Sequence, residues 1–200
     1  ITGSSIKRSI ASEGALPITV ISVKELREAG VTTTEELVGR VASSQSSLGT
    51  SQSIGSATGG RANANLRGLG ANKTLVLLNG RRVAAFAFDS ATVDLNAIPF
   101  AAIERVEILR DGASAIYGTD AIGGVINFIT KNNYNGIEVA GEYQRPEKSG
   151  GVSKRATITG GIGNLDTDKF NLWATFDYHK QDAVAATQRD FAKTGVIPER

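Results

Sequence analysis

The chain has 200 residues, a formal net charge of +2, 40% apolar residues, 23 glycines, and neither cysteine nor methionine. These figures exclude disulfide frameworks and thiolate metal sites, and no apolar run approaches the roughly eighteen residues of a membrane helix, so a helical membrane protein is excluded as well. Divided at Lys131, the chain carries 13 basic against 11 acidic residues before the cut and 9 against 9 after it; neither part has the concentrated basic stripe of a nucleic-acid binder, and no nucleic-acid partner is expected.

Residues 1–16 are Ser, Gly and charge without period and are expected to form a mobile N-terminal arm. Pro17 to Val23 is a β-rich run. Ser22 and Glu25 then match the S-x-x-E capping box, which predicts a short helix over Lys24 to Ala29 ended by Gly30. Thr33 and Glu36 repeat the device ahead of a second helix reaching about Val41. Residues 42–63 are almost all small and polar, the composition of a loop. Asn65 to Leu69 is expected as a short strand, and Thr74 to Leu78 as an apolar strand buried on both faces. Asn79-Gly80 is a tight hairpin turn into Arg81 to Ala84. After a loop from Ala85 to Asn96, Ile103 to Leu109 forms a strand, Asp111-Gly112 opens one helical turn, and Val125 to Ile129 supplies the last strand. This predicts a small mixed α/β unit of roughly 130 residues.

From Gly136 onward the period becomes two. Ile137, Val139 and Tyr143 share one parity against Glu138, Glu142 and Gln144. Val152, Ala156, Ile158 and Ile162 oppose Ser153, Arg155, Thr157 and Thr159, with Lys154 the charged exception near one end. Phe170, Leu172, Ala174, Phe176 and Tyr178 oppose Lys169, Asn171, Thr175, Asp177 and His179. Each run reaches about ten residues, longer than the five or six of globular strands and near the nine to eleven that cross a bilayer when tilted. Aromatics at Tyr143, Phe170 and Tyr178 sit toward the ends of the apolar face, as interfacial girdles do, and the rise from Phe170 to Tyr178 is about 20 Å, comparable with the apolar band of an outer-membrane barrel. Three candidate strands cannot close such a barrel. With no Met at Ile1, a processed or excised piece is expected, and the polar tail 181–200 is expected to be an extracellular loop cut short.

The segments Asn65-Leu66-Arg67-Gly68, Leu77-Leu78-Asn79-Gly80-Arg81-Arg82 and Ile103-Glu104-Arg105-Val106-Glu107-Ile108-Leu109-Arg110, with Tyr117-Gly118 and Gly123-Gly124-Val125-Ile126-Asn127, resemble the plug domain of TonB-dependent outer-membrane receptors. The resemblance implies an α+β plug with a small mixed sheet over 17–131, followed over 136–180 by the first three antiparallel strands of a transmembrane β-barrel. The whole protein would be a 22-stranded barrel of the bacterial outer membrane, occluded by the plug and surrounded by outer-membrane lipid. It would bind a scarce extracellular nutrient and import it when TonB, with ExbB and ExbD, pulls on the N-terminal arm. Ile1-Thr2-Gly3-Ser4 resembles the trailing edge of the TonB box, so the box is expected before Ile1.

The same resemblance implies that Arg67 and Arg110 latch the plug to glutamates of the barrel wall; both stand beside Gly or Asp-Gly turns at strand ends, and pairing within the plug to Glu104 or Glu107 is the alternative. It also places ligand contacts on the outward plug loops, with Arg61, Asn63, Asn72, Phe86, Phe88 and Asp89 as candidates. Exposed phenylalanines on a loop tip favour binding, with packing against the barrel wall or under the loop as the competing explanation, while Arg61, Asn63 and Asn72 are better explained as simple solvated loop residues. The cargo stays open between sugars, iron-siderophores and cobalamin.

Two other classes are weighed. An enzyme finds little support: the glycine clusters lack a following helix and a P-loop lysine, and Ser114 would have to meet the single histidine, His179. Asp166 and Asp168 suit a turn better than a calcium loop. No catalytic residue, metal or cofactor is expected. A surface adhesin or structural β protein would explain the alternation but not the α/β unit ahead of it.

Overall fold

A computed structural model describes residues 18–41, 60–87, 91–110, 113–147, 150–183 and 188. The chain divides into two compact units, Ile1–Asn132 and Asn133–Arg200.

The first unit is built on a five-stranded mixed sheet in the order β1-β4-β5-β2-β3, formed by β1 (Ile18–Ser22), β2 (Thr74–Leu78), β3 (Arg81–Arg82), β4 (Ile103–Leu109) and β5 (Gly124–Thr130). β2 and β5 run parallel and the other pairs are antiparallel. Alternate residues feed two cores. Val76, Val106, Ile108, Ile126 and Phe128 join Leu37, Val38, Leu66 and Phe100 on one face, and Leu75, Leu77, Leu109 and Val125 meet Ala113 and Ala121 on the other. Burial on both sides is why TLVLL is continuously apolar. Each buried Val, Leu, Ile or Phe side chain among them contributes about 1.5–3 kcal/mol.

Helix α1 (Val23–Glu28) ends as its glycine dictates: Gly30, at φ 79, donates to Arg27 O and Val31 N–H to Leu26 O, a Schellman arrangement. Its expected capping box does not form. Ser22 makes no side-chain cap bond, because it is the last residue of β1 and is paired there with Arg105. The second box is complete at α2 (Thr34–Arg40), where Thr33 Oγ1 accepts from Glu36 N–H at 3.0 Å and Glu36 Oε2 accepts from Thr33 N–H at 3.3 Å. Thr34 then donates its hydroxyl to Ile98 O at 2.6 Å, docking the helix start on the loop before β4.

The strand expected at Asn65–Leu69 is a turn. Arg67 and Gly68 both adopt left-handed backbone, at φ 61 and 69, which reverses the chain after a single bridge at Leu66. Asn65 Oδ1 closes the turn by accepting from Gly70 N–H. Asn79-Gly80 makes the expected hairpin, with φ 50 and 79, though β3 stops at Arg82, short of Ala84. The Gly123-Gly124 pair lets backbones cross: a Cβ on Gly124 (φ 128) would stand 2.8 Å from Leu109 O and from Leu66 Cδ1. The single helical turn is α3 (Ala113–Tyr117); Asp111 and Gly112 lie outside the described residues.

The second unit is a meander of β6 (Gly136–Gln144), β7 (Ser153–Ile162) and β8 (Leu172–Gln181). Phe170 is not part of β8. Lys169 is left-handed at φ 61, and the Asn171 amide caps the carbonyls of Ile162 and Gly163, so the strand begins two residues later than the alternation suggests. It also runs on to Gln181, inside the segment expected to be loop; the arm 1–16 and nearly all of the rest of that tail lie outside the described residues.

Candidate functional site

The distribution of polarity on β6–β8 is the reverse of a soluble sheet. Continuous ladders align Val139, Ile158 and Phe176 across the three strands, with Ile137, Ile162, Leu172 and Tyr178 on the same side. These are exposed, Ile137 at 83% and Phe176 at 66%, whereas Thr157 and Thr159 on the opposite side are buried at 8% and 1%. In water this would be an unfavourable apolar patch; against hydrocarbon it is the outer wall of a barrel.

The polar side is knitted across strands. Arg155 grips Asp177 through Nε at 3.1 and 3.2 Å and Nη2 at 2.8 Å, with both side chains nearly buried. Thr159 and Thr175 share a hydroxyl bond at 2.9 Å. His179 Nε2 lies 3.0 Å from Ser153 Oγ, a Ser-His contact that the sequence did not single out. Asp177, the carboxylate two residues before His179, is committed to Arg155 and does not orient the ring, so the pair has the character of a structural cross-strand bond. Asp168 accepts from Asn164 N–H and Asp166 N–H donates to Asn164 Oδ1, which makes NLDTD a self-bonded turn.

In the first unit the latch candidates are neighbours. Arg67 Nη1 donates to Arg110 O at 3.2 Å, and Arg110 Nη2 donates to Thr19 Oγ1 at 2.7 Å on edge strand β1. Arg67 holds a left-handed backbone that costs an L-residue on the order of 1 kcal/mol. The acids considered as alternative partners, Glu104 and Glu107, both ion-pair with Arg105. Glu107 is 1% exposed on its β4 position, held by Arg105 Nε and Nη2. A further clamp was not legible in the sequence: Arg82 Nη1 reaches Asp120 at 2.7 Å while its Nη2 donates to Tyr117 O. It joins positions 38 residues apart, which no local pattern reveals.

Among the loop candidates, Arg61 and Phe86 are brought together. The guanidinium stands 5.5 Å from the ring centroid and donates to Thr92 Oγ1 at 2.9 Å, and Phe86 N–H donates to Thr92 O. Asp94 braces the cluster by accepting from the N–H groups of Ala62 and Asn96. Phe86 is therefore half-buried beneath a cation instead of fully presented. Asn63 is half-buried, and Asn72 is exposed on the separate turn Ala71–Lys73. Phe88 and Asp89 lie outside the described residues. No cluster of three potential metal ligands occurs among the described residues.

A family model for the TonB-dependent receptor plug domain matches residues 11–125. The chain belongs to this family, which places it at the bacterial outer membrane. The vitamin B12 transporter BtuB of Vibrio cholerae serotype O1 is 34% identical over 107 residues, a match that covers 54% of this chain and 14% of the transporter. Among solved structures, the siderophore receptor PirA of Acinetobacter baumannii superposes with a TM-score of 0.63 at 26% identity over 87% of this chain and 26% of the receptor. The ferric citrate transporter FecA shares the fold with a TM-score of 0.65 at 22% identity over 84% of this chain and 26% of its own. The chain thus spans a minor part of the length of these relatives. The two units are a plug with a mixed sheet and the antiparallel strands that open a transmembrane barrel.

Proposed function

We propose that this chain is the plug and opening wall of a receptor that takes up a metal chelate, an iron-siderophore or a cobalamin, across the outer membrane in a TonB-dependent cycle. The observation that carries the reading is the exposed apolar ladder Val139, Ile158, Phe176 in the same chain as a plug-family unit. A wall built for lipid and a folded unit of the plug family together make a gated pore. The gate needs bonds that hold at rest and release under load, and Arg67 and Arg110 supply them at the sheet edge; ExbB and ExbD would energise TonB. The chelate cargo rests on relatives named for vitamin B12, siderophores and ferric citrate. A deletion strain is grown on iron-limited medium with ferric siderophores, on limiting cobalamin, and on a panel of glycans. Impaired growth on one chelate assigns the cargo; a defect confined to glycans overturns the chelate reading.

A further inference from the structure

The lipid-facing side of β6–β8 changes character at one rim. Along β8 the outward parity runs Leu172, Ala174, Phe176, Tyr178 and then Lys180, and along β7 it runs Ile162, Gly160, Ile158, Ala156 and then Lys154. The register sets Tyr143, Lys154 and Lys180 abreast on three adjacent strands, directly beyond the row Gly141, Ala156, Tyr178. Residues directly opposed on antiparallel strands have Cα atoms about 4.5–5.5 Å apart. Two ammonium stems therefore leave the wall side by side at the border of an apolar band. Arg145, two residues past Tyr143, is exposed just beyond the strand end.

No ion pair among the described residues balances this charge. Among the described residues neither lysine is ion-paired, and the Lys154 ammonium stands 5.8 Å from the centroid of the Tyr143 ring. The strand acids Glu138, Glu142 and Asp177 have the opposite parity, with Asp177 held by Arg155; Glu147 after β6 and Asp182 after β8 are exposed at this rim and pair with neither lysine among the described residues. Like charges directly opposed on a sheet destabilise it, and they do so more strongly next to hydrocarbon than in water. The opposite rim is built differently: Ile137, Ile162 and Leu172 are apolar, and Lys169 is satisfied locally by donating to Asp166 O at 2.7 Å.

We propose that Lys154 and Lys180, flanked by Tyr143, bind the headgroup of an anionic membrane lipid on the outer wall of the barrel. A phosphate oxygen accepting from both ammonium groups cancels their repulsion. The acyl chains then lie along Ala156, Ile158, Phe176 and Tyr178, which the same ladders place beside the pair. The site rests on β6–β8 facing lipid. Lysines that only extend to reach water would be indifferent to headgroup chemistry.

The full-length receptor carrying this chain is placed in nanodiscs of equal phosphatidylcholine and phosphatidylglycerol, and the lipids it retains are measured by native mass spectrometry. The unmodified receptor enriches phosphatidylglycerol. Lys154→Gln with Lys180→Gln lowers that enrichment about tenfold or more, as expected for the loss of two cations at an anionic surface, whereas the two arginine substitutions preserve it. Unchanged enrichment in the glutamine variant overturns the site while insertion into the disc still upholds the wall. Displacement of the bound lipid by millimolar inorganic phosphate overturns the lipid assignment. Failure of the receptor to enter the disc overturns the wall on which the site rests.

Discussion

Arg110 donates through Nη2 to Thr19 Oγ1 at 2.7 Å, and this bond ties the end of β4 to the edge strand β1. The carbonyl of the same arginine accepts from Arg67 Nη1, so two cations long separated in sequence form one clasp at the strand that continues the N-terminal arm. Arg67→Ala and Arg110→Ala in the full-length receptor are expected to loosen the plug and raise passive entry of large antibiotics. Thr19→Val separates the two possible partners of Arg110. If it reproduces the leakage of Arg110→Ala, the clasp within the plug dominates; if it leaves leakage at the unmodified level while Arg110→Ala raises it, contact with the barrel wall dominates. Unchanged antibiotic entry in both arginine variants removes the latch assignment.

Phe176 distinguishes a lipid-facing wall from a soluble sheet. Its side chain is 66% exposed, and at such a surface position in water Phe176→Arg would shift stability by no more than about 0.5 kcal/mol. Facing the bilayer interior, the same change should cost about 2–4 kcal/mol. Equilibrium unfolding of the full-length receptor from phosphatidylcholine vesicles measures the difference, and a near-neutral result would argue against hydrocarbon contact.

On the inner side, Arg155→Ala removes the only cation described at Asp177 and leaves a nearly buried carboxylate. A loss of about 3 kcal/mol is expected from breaking such a pair, with part of it recovered when Asp177→Ala is added. The same vesicle unfolding assay reads both variants. A double variant no better than Arg155→Ala alone would show that packing of the arginine stem, and not the stranded charge, accounts for the loss.

The Arg61–Phe86 contact offers a sharper test of recognition than removing the loop. Deleting Ala85 to Asp94 should weaken binding, but it would also remove Asp94, whose carboxylate accepts from Ala62 and Asn96. Arg61→Ala and Phe86→Ala are therefore expected to raise the Kd for the chelate, by about tenfold each if the contact lines the site. A Kd unaltered in isothermal titration of the full-length receptor would move recognition to the barrel loops.

How far the sequence carries depends on the range of the interaction. Thr33-x-x-Glu36 is a local device and forms as written, whereas the identical spacing at Ser22 fails because β1 takes that residue into a ladder with Arg105, a partner that no neighbouring residue announces. The two-residue alternation of β6–β8 and the buried run TLVLL were legible for a related reason: a period, or its absence, records which faces a strand must bury. Asn65–Leu69 misled because its apolar residues look extended while Arg67 and Gly68 turn left-handed.

The amino-acid order by itself determined the plug-like unit, the change to period two after Gly136, and the strand-borne turns, because these follow from local sterics and from which side chains avoid water. Only the tertiary structure decided that Arg110 meets Thr19, that Arg61 covers Phe86, that Arg82 clamps Asp120, and that Lys154 stands beside Lys180. Each of these joins residues tens of positions apart; Lys154 meets Lys180 through strand register, which a sequence period constrains in parity but does not set, and the Arg61–Phe86 contact needs two distant loops to be packed together.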